Sequence, residues 1–249
     1  MLKEERHQVI LNKLHINRKV LSTKLSEELN VSEDTVRRDL KELEAKRLLY
    51  KVHGGALSIE NKIKTYDERS IFDIDKKEII AQKAVKLIHD GQVIIMSGST
   101  TNLQLAKIIP SKTNATIFTY SLPVALELTH HPSIEVIFIG GKLNKGAQVT
   151  TGIDVINSIS NIRADMCFMG TGGIDTIRGF TEPDWEVSHI KKTMIDVSDY
   201  VVAMSTSDKI MKVERYAAAP IHKIDTIITE KEPTDSMFES FQELGITVI

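Results

Sequence analysis

Residues 20–55, VLSTKLSEELNVSEDTVRRDLKELEAKRLLYKVHGG, carry two short helical patterns separated by Asn30-Val31-Ser32 and followed by an alternating stretch that ends in two glycines. In the first pattern Leu25 and Leu29 lie four residues apart on one face, and Asn30 tolerates the tight turn that follows. Ser32 is placed to cap the next helix. There Val36, Leu40 and Leu43 recur at i, i+4 and i+7, an apolar stripe that needs a surface to pack against. At about 100° per residue, Asp34, Arg38, Lys41 and Ala45 point away from that stripe, with Thr35 and Arg37 on its flanks. Downstream, Leu48, Tyr50 and Val52 alternate with Leu49, Lys51 and His53 as a strand does, and Gly54-Gly55 permits the backbone angles of a wing turn. Upstream, Glu4 to His15 holds Val9, Ile10, Leu11 and Leu14 in helical register and supplies a third helix. Three helices and a small hairpin in this order describe a winged helix-turn-helix, whose second helix enters a major groove.

On this reading the outward face is the DNA surface. The candidate contacts are Ser32, Thr35, Arg37, Arg38 and Lys41 on the helix, with Lys51 and His53 on the wing. Arginine holds guanine O6 and N7 through two parallel hydrogen bonds, or holds a phosphate, and the sequence does not divide these roles between Arg37 and Arg38. The competing reading makes Arg37-Arg38-Asp39 an ordinary solvated run, with Asp39 and Glu42 pairing locally. The flanking helix, turn and wing favour the first.

Charge is distributed in keeping with it. The 249 residues carry a formal net charge of only −2, with 41% hydrophobic residues. Residues 1–58 hold 12 Lys and Arg against 9 Asp and Glu, and the rest 20 against 25. A mildly basic head on an acidic body fits one part that meets phosphates and one that does not. The single Cys167 lies in Met166-Cys167-Phe168-Met169, where a buried, inert thiol is expected. The eight histidines show no metal-binding spacing, so neither metal nor cofactor is expected. No apolar run reaches the roughly 18 residues of a membrane span, and Lys3-Glu4-Glu5-Arg6 does not begin a signal peptide. A cytoplasmic protein is expected.

The organisation read from the chain is a DNA-binding head over 1–57, a polar linker over 58–74 and an α/β body over 75–249. In the body a helix from about Asp75 carries Ile80, Ala84, Leu87 and Ile88 to an Asp90-Gly91 turn. Strands are expected at 93–96, 116–119, 135–139, 166–169, 201–204, 226–228 and 247–249, alternating with helices as in a parallel or mixed sheet. Ser97-Gly98-Ser99-Thr100-Thr101 joins the first strand to a helix. Glycine lets the backbone approach an anion, helix-start amides aim positive charge at it, and the hydroxyls can donate to phosphate oxygens. No lysine follows as in a nucleotide-hydrolysing loop. Gly170-Thr171-Gly172-Gly173 lacks the spacing of a dinucleotide site, and Trp185 begins a helical stretch where it packs or forms a lid.

The run VSEDTVRRDLKELEAKRLLYKVHGGA resembles the signature of the DeoR family of bacterial transcriptional regulators, a Val-Ser-x-x-Thr-x-Arg-Arg-Asp-Leu helix followed by a His-Gly-Gly-Ala wing. Val31, Ser32, Thr35, Arg37, Arg38, Asp39, Leu40, Leu43, His53, Gly54, Gly55 and Ala56 match it. The resemblance implies operator binding, usually as a repressor of a sugar or nucleoside catabolic operon, lifted by a phosphorylated metabolite. It extends over nearly the whole remaining chain and implies a body related to ribose-5-phosphate isomerase. By that resemblance the effector pocket is lined by Gly98, Ser99, Thr100 and Thr101, then Thr119 and Ser121, then Gly140, Gly141 and Leu143, then Gly179, Thr181 and Lys191, then Ser207 and Lys209. Lys142 and Lys145 lie beside these segments. Two departures stand out: Tyr120 replaces the family's asparagine and Thr206 its aspartate, so a specific ligand does not carry over. Tyr120 and Lys142 are kept among the pocket candidates.

Two readings from other classes compete. An isomerase needs a carboxylate beside the carbon that loses its proton, yet Gly140-Gly141 is followed by Lys142-Leu143-Asn144-Lys145 with no acid. That points to binding without turnover. A non-specific DNA binder would show affinity independent of sequence, with only the salt dependence of phosphate contacts. The expected assembly is a homo-oligomer, dimer or tetramer, on double-stranded operator DNA.

Overall fold

In the computed structural model, which describes residues 2–17, 19–46, 48–58 and 65–249, the head is built from α1 (Lys3–Asn17), β1 (Lys19–Leu21), α2 (Ser22–Leu29), α3 (Glu33–Ala45), β2 (Tyr50–Val52) and β3 (Gly55–Leu57). Ile10, Leu14, Leu25, Leu29, Val36, Leu40 and Leu43 are buried together, so each expected apolar stripe faces the same small core. Asn30 ends α2 in the left-handed conformation (φ 50°), and Ser32 caps α3 by accepting the Thr35 amide at 3.2 Å. The three strands pair antiparallel in the order β1-β3-β2. Gly54 turns the wing at φ 79°, and at Gly55 a Cβ would stand 2.0 Å from the Val20 carbonyl oxygen. The expected alternation is only partly realised: Leu49 is buried, but Tyr50 and Val52 are exposed with Leu21 and Leu57. Cross-strand register puts these four on the sheet face opposite Val20 and Ala56.

Asp39 overturns the competing reading, in which it lay in a solvated Arg-Arg-Asp run and paired with Glu42. It is 2% exposed and does not pair with Glu42. Arg6 on α1 grips it through Nε at 2.5 Å and a second guanidinium nitrogen at 3.0 Å, and His7 Nε2 lies 3.1 Å away. Glu42 pairs with Lys3 instead. Position 39 follows Val36 by three residues, on the edge of the buried stripe, so the carboxylate faces α1.

Of the expected linker, residues 59–64 lie outside the described residues. Beyond them Tyr66–Ser70 forms a short helix, α4, begun by a capping box in which Thr65 and Glu68 satisfy each other's backbone amides. The Tyr66 amide donates to the Gly146 carbonyl, and Gln148 donates to Asp67.

The second unit, Lys64–Ile249, is organised around one parallel sheet. After α5 (Ile74–Ala84) come β4 (Val93–Met96), α6 (Thr100–Ile108), β5 (Thr116–Thr119), α7 (Leu122–Leu128) and β6 (Glu135–Phe138). Next are β7 (Lys142–Asn144), β8 (Val149–Thr151), α8 (Ile153–Ser160), β9 (Met166–Gly170), β10 (Gly173–Asp175), β11 (Gly179–Glu182) and α9 (Trp185–Asp196). The chain ends with β12 (Val201–Met204), β13 (Tyr216–Ala219), β14 (Thr226–Ile228), α10 (Glu239–Glu243) and β15 (Thr247–Val248). The seven-stranded sheet has the order β15-β14-β12-β9-β4-β5-β6. From β4 the chain works outward through β5 and β6, then returns to the other side of β4 as β9 and works outward again. The β4/β9 boundary is therefore the topological switch point, where helices diverge and leave a crevice at the strand ends. Ile95, Cys167, Met169 and Ala203 pack on one face with α8 and α9, while Ile94, Met96, Phe168 and Val202 pack on the other with α5 to α7.

The expected sheet strands occur within a residue or so of their sequence positions. The hairpin β7–β8 and the sheet β10-β11-β13 were not anticipated. Cys167 is fully buried, and burial pushes its thiol up to about 12. Trp185 begins α9, packs against His189 and Tyr216 and stays 59% exposed. Among the described residues no helix is long and apolar enough to cross a membrane.

Candidate functional sites

In the head, Asp34, Arg37, Arg38, Lys41 and Lys51 line an open depression of about 380 Å³, which joins the outward face of α3 to the wing. Four of the seven expected DNA contacts thus share one surface. Ser32 and Thr35 stand at the helix start, where their hydroxyls pair at 2.9 Å, and His53 is exposed at the wing turn. The two arginines differ in their surroundings. Arg37 is held along its own helix by Glu33 at 3.2 Å and Asp34 at 3.3 Å. Arg38 is exposed and has no hydrogen-bond or ion-pair partner among the described residues. A free guanidinium facing outward from a capped helix is ready to meet a base edge, whereas Arg37 must first exchange two carboxylates.

In the body, the Ser97–Thr101 loop lies at the end of β4, at the switch point. The sequence builds it tightly. Asn102 donates from its side-chain nitrogen to the Ser97 carbonyl (2.7 Å), the Ser97 hydroxyl (3.0 Å) and the Phe168 carbonyl (3.1 Å), tying the ends of β4 and β9 together. The Ser97 hydroxyl also accepts the Gly170 amide at 3.1 Å, and Ser99 caps α6 by accepting the Asn102 amide. A Cβ on Gly98 would stand 2.1 Å from a Val149 methyl, and one on Gly170 2.2 Å from the Ser99 Cβ. Both glycines therefore permit close packing of neighbouring loops. The Thr100 and Thr101 hydroxyls take no partner among the described residues. The first-turn amides of α6 have no acceptor within the helix.

Charged side chains converge on the same strand ends. Lys191 on α9 donates to the Gly170 carbonyl at 2.6 Å and to Glu182 at 2.5 Å, both partners deeply buried. Burial lowers the Lys191 ammonium below its ordinary range, with Glu182 opposing. Lys209 donates to the Thr171 carbonyl at 2.9 Å and is likewise lowered by burial. Tyr120 and Ser121, at the end of β5, are fully buried, and neither hydroxyl closes a hydrogen bond within 3.5 Å among the described residues. Burial raises the Tyr120 phenol, and its hydroxyl's contacts with the Gly98 backbone and the Ser97 side chain, too long or too bent to count as hydrogen bonds, oppose that rise.

Three participants were missed from the sequence. Arg69, on α4, lies with its guanidinium carbon 5.6 Å from the centre of the Tyr66 ring, and its Nε is buried without an acceptor among the described residues. Burial lowers it, with Glu182 opposing. Lys77 donates to the Arg69 and Phe72 carbonyls, and burial with Lys209 nearby brings it down to about 8. Glu182 holds Lys191 and also accepts the Gly172 amide at 3.0 Å. The Thr65-x-x-Glu68 capping signal was present in the sequence and could have revealed α4.

Other expected residues stand differently. Gly141 packs against the Thr151 carbonyl and Val155, and Lys142 is exposed on β7 beside an exposed Gly140. The Thr181 hydroxyl donates to the Gly173 carbonyl and accepts the Glu214 amide, and Ser207 bonds Glu230. These hydroxyls are engaged within the protein.

Residues 6–62 match the profile of the DeoR-like helix-turn-helix domain, and residues 73–231 that of the DeoR C terminal sensor domain. The chain is 33% identical over 246 residues to the HTH-type transcriptional regulator GolR of Listeria innocua, a match covering 98% of this chain and 97% of that protein. It is 30% identical over 251 residues to the HTH-type transcriptional repressor GlcR of Bacillus subtilis, covering 100% and 96%. Among solved structures, ribose 5-phosphate isomerase A from Methanocaldococcus jannaschii matches with 15% identity and a TM-score of 0.40, over 55% of this chain and 54% of that one.

Proposed function

This chain belongs to the DeoR family of DNA-binding transcriptional regulators, and from that membership we propose that it represses a carbohydrate or nucleoside catabolic operon and is released by a phosphorylated metabolite. The observation that carries the effector reading is the Gly98–Thr101 loop at the sheet's switch point, with Thr100 and Thr101 hydroxyls free among the described residues and the buried Lys191 and half-buried Lys209 beside it. Open α/β sheets bind ligands at such crevices, and helix-start amides favour anions. Two or more chains associate through the body in the cytoplasm and set the spacing of two recognition helices on repeated half-sites. The metabolite shifts that arrangement by no more than its difference in affinity between the two states.

Sequencing genomic DNA retained by the purified protein at moderate salt identifies the operator: a few fragments sharing a repeated half-site support the reading, and uniform retention contradicts it. On that operator, Arg38→Ala is expected to weaken binding by about 1 to 3 kcal/mol through loss of a base contact. Anisotropy titration checks this, and unchanged affinity removes Arg38 from the interface. Thr100→Ala is expected to leave operator affinity intact and to weaken effector-driven release by about 1.5 to 3 kcal/mol, the worth of a hydrogen bond to a charged acceptor. Normal release in the same titration contradicts the phosphate loop.

A further inference from the structure

The groups at the strand ends that the phosphate loop leaves unused are Arg69 and Tyr120. Arg69 Nε, the Tyr120 hydroxyl and the Ser121 hydroxyl are all buried without a hydrogen-bond partner among the described residues. A buried donor lacking an acceptor destabilises the fold that holds it, and Arg69, a half-buried cation with no ion-pair partner among the described residues, adds to that cost. Such groups call for a partner supplied from outside the chain.

They share one region. The α4 helix is held by Gly146 and Gln148, Gln148 in turn accepts the Leu122 amide, and Val149 bridges to Ser121 and packs on Gly98. Arg69 lies within electrostatic range of Tyr120 and Glu182. Glu182 makes no ion pair with Arg69 among the described residues: its Oε1 accepts Lys191 and the Gly172 amide. Lys77 and Lys209 add positive charge around Arg69.

The chemistry of the donors narrows the partner. A guanidinium has only N–H donors, and the loop beside Tyr120 offers further amides. A sugar hydroxyl would accept one bond and leave the charge uncompensated. An oxyanion accepts several bonds and neutralises it, and a planar carboxylate suits a guanidinium fork.

We propose that the effector is a phosphorylated hydroxy acid, with its phosphate at the Gly98–Thr101 loop and its carboxylate received by Arg69 and Tyr120. This inference rests on the phosphate reading of that loop.

Calorimetric titration of the full-length chain with matched pairs tests it: 3-phosphoglycerate against glycerol 3-phosphate, and 6-phosphogluconate against glucitol 6-phosphate, with inorganic phosphate as reference. In at least one pair the acid is expected to bind about tenfold or more tighter than the alcohol, as for a charge-assisted hydrogen bond gained. Tyr120→Phe, which removes only the hydroxyl, and Arg69→Met, which removes the charge, should each shrink that ratio to about threefold or less. Arg69→Met should also raise the thermal midpoint of the unliganded chain, since it removes an uncompensated half-buried charge and its enclosed Nε donor. Equal binding of acid and alcohol overturns this proposal and leaves the phosphate reading standing. No binding by any of the five overturns both. A lowered midpoint for Arg69→Met assigns Arg69 to the fold and removes it from recognition.

Discussion

Asp39→Ala is expected to cost the head about 3 to 5 kcal/mol, the penalty for leaving a buried charged partner unmatched, and so to unfold it. The carboxylate joins α3 to α1 through Arg6 and His7. Without it the Arg6 guanidinium, itself only 12% exposed, loses its counter-ion. A domain with so small a core holds a total stability of the same order. Operator binding is then lost although no DNA contact has been removed. The measurement is favoured by where Trp185 lies. As the only tryptophan, it reports on the body, so its fluorescence transition stays at the wild-type midpoint while helical ellipticity and operator binding fall. Wild-type ellipticity and affinity in the variant would show that the network contributes little.

The same network sets an acid limit on the head. Burial alone would raise the Asp39 carboxyl, but hydrogen bonds from Arg6 and His7 outweigh it and hold the group below its usual value of 3.8. A carboxylate lowered by folding stabilises fully above its unfolded value, and that stability is lost as pH falls through the folded value. The difference in stability between wild type and Asp39→Asn should therefore narrow below about pH 4.

The second large effect is expected at Lys191. Lys191→Met leaves Glu182 buried without its cation and should destabilise the body by about 3 to 5 kcal/mol. Adding Glu182→Gln should restore much of the loss, because removing both charges is far less costly than removing one. Denaturant unfolding followed by Trp185 fluorescence measures both variants. A single variant as stable as wild type, or a double variant no better than the single, would mean that the pair does not couple α9 to β11.

The sheet was legible because each of its central strands is a short continuous apolar run, as parallel strands covered on both faces must be. Val201 to Met204 and Met166 to Met169 are of this kind. The hairpins were not, since Lys142-Leu143-Asn144 and Val149-Thr150-Thr151 carry polar residues and no apolar run. Strand order is also invisible locally: the neighbour of β4 across the switch point is β9, which follows it by some seventy residues. In the head, the stripe of Val36, Leu40 and Leu43 gave the inner face correctly, yet the charge of Asp39 masked a buried position. A single chain gives no local sign that a carboxylate has a partner 33 residues upstream. Arg69 was hidden for the complementary reason, because a polar stretch after the head reads as linker even where one side chain turns inward.

Helix α4 has a mechanical consequence. Five residues are too few to hold a helix in water unaided, so α4 persists through its capping box and its bonds to Gly146 and Gln148. As a helix those residues span about 7.5 Å, and as extended chain about 17 Å. Melting or seating this one turn therefore changes the length of chain these five residues span by about 10 Å. Where two heads must engage paired half-sites together, tether length sets the effective concentration of the second. On the proposed two-headed mode of operator binding, the seating of α4 is expected to alter avidity for DNA with no change in the recognition helix itself.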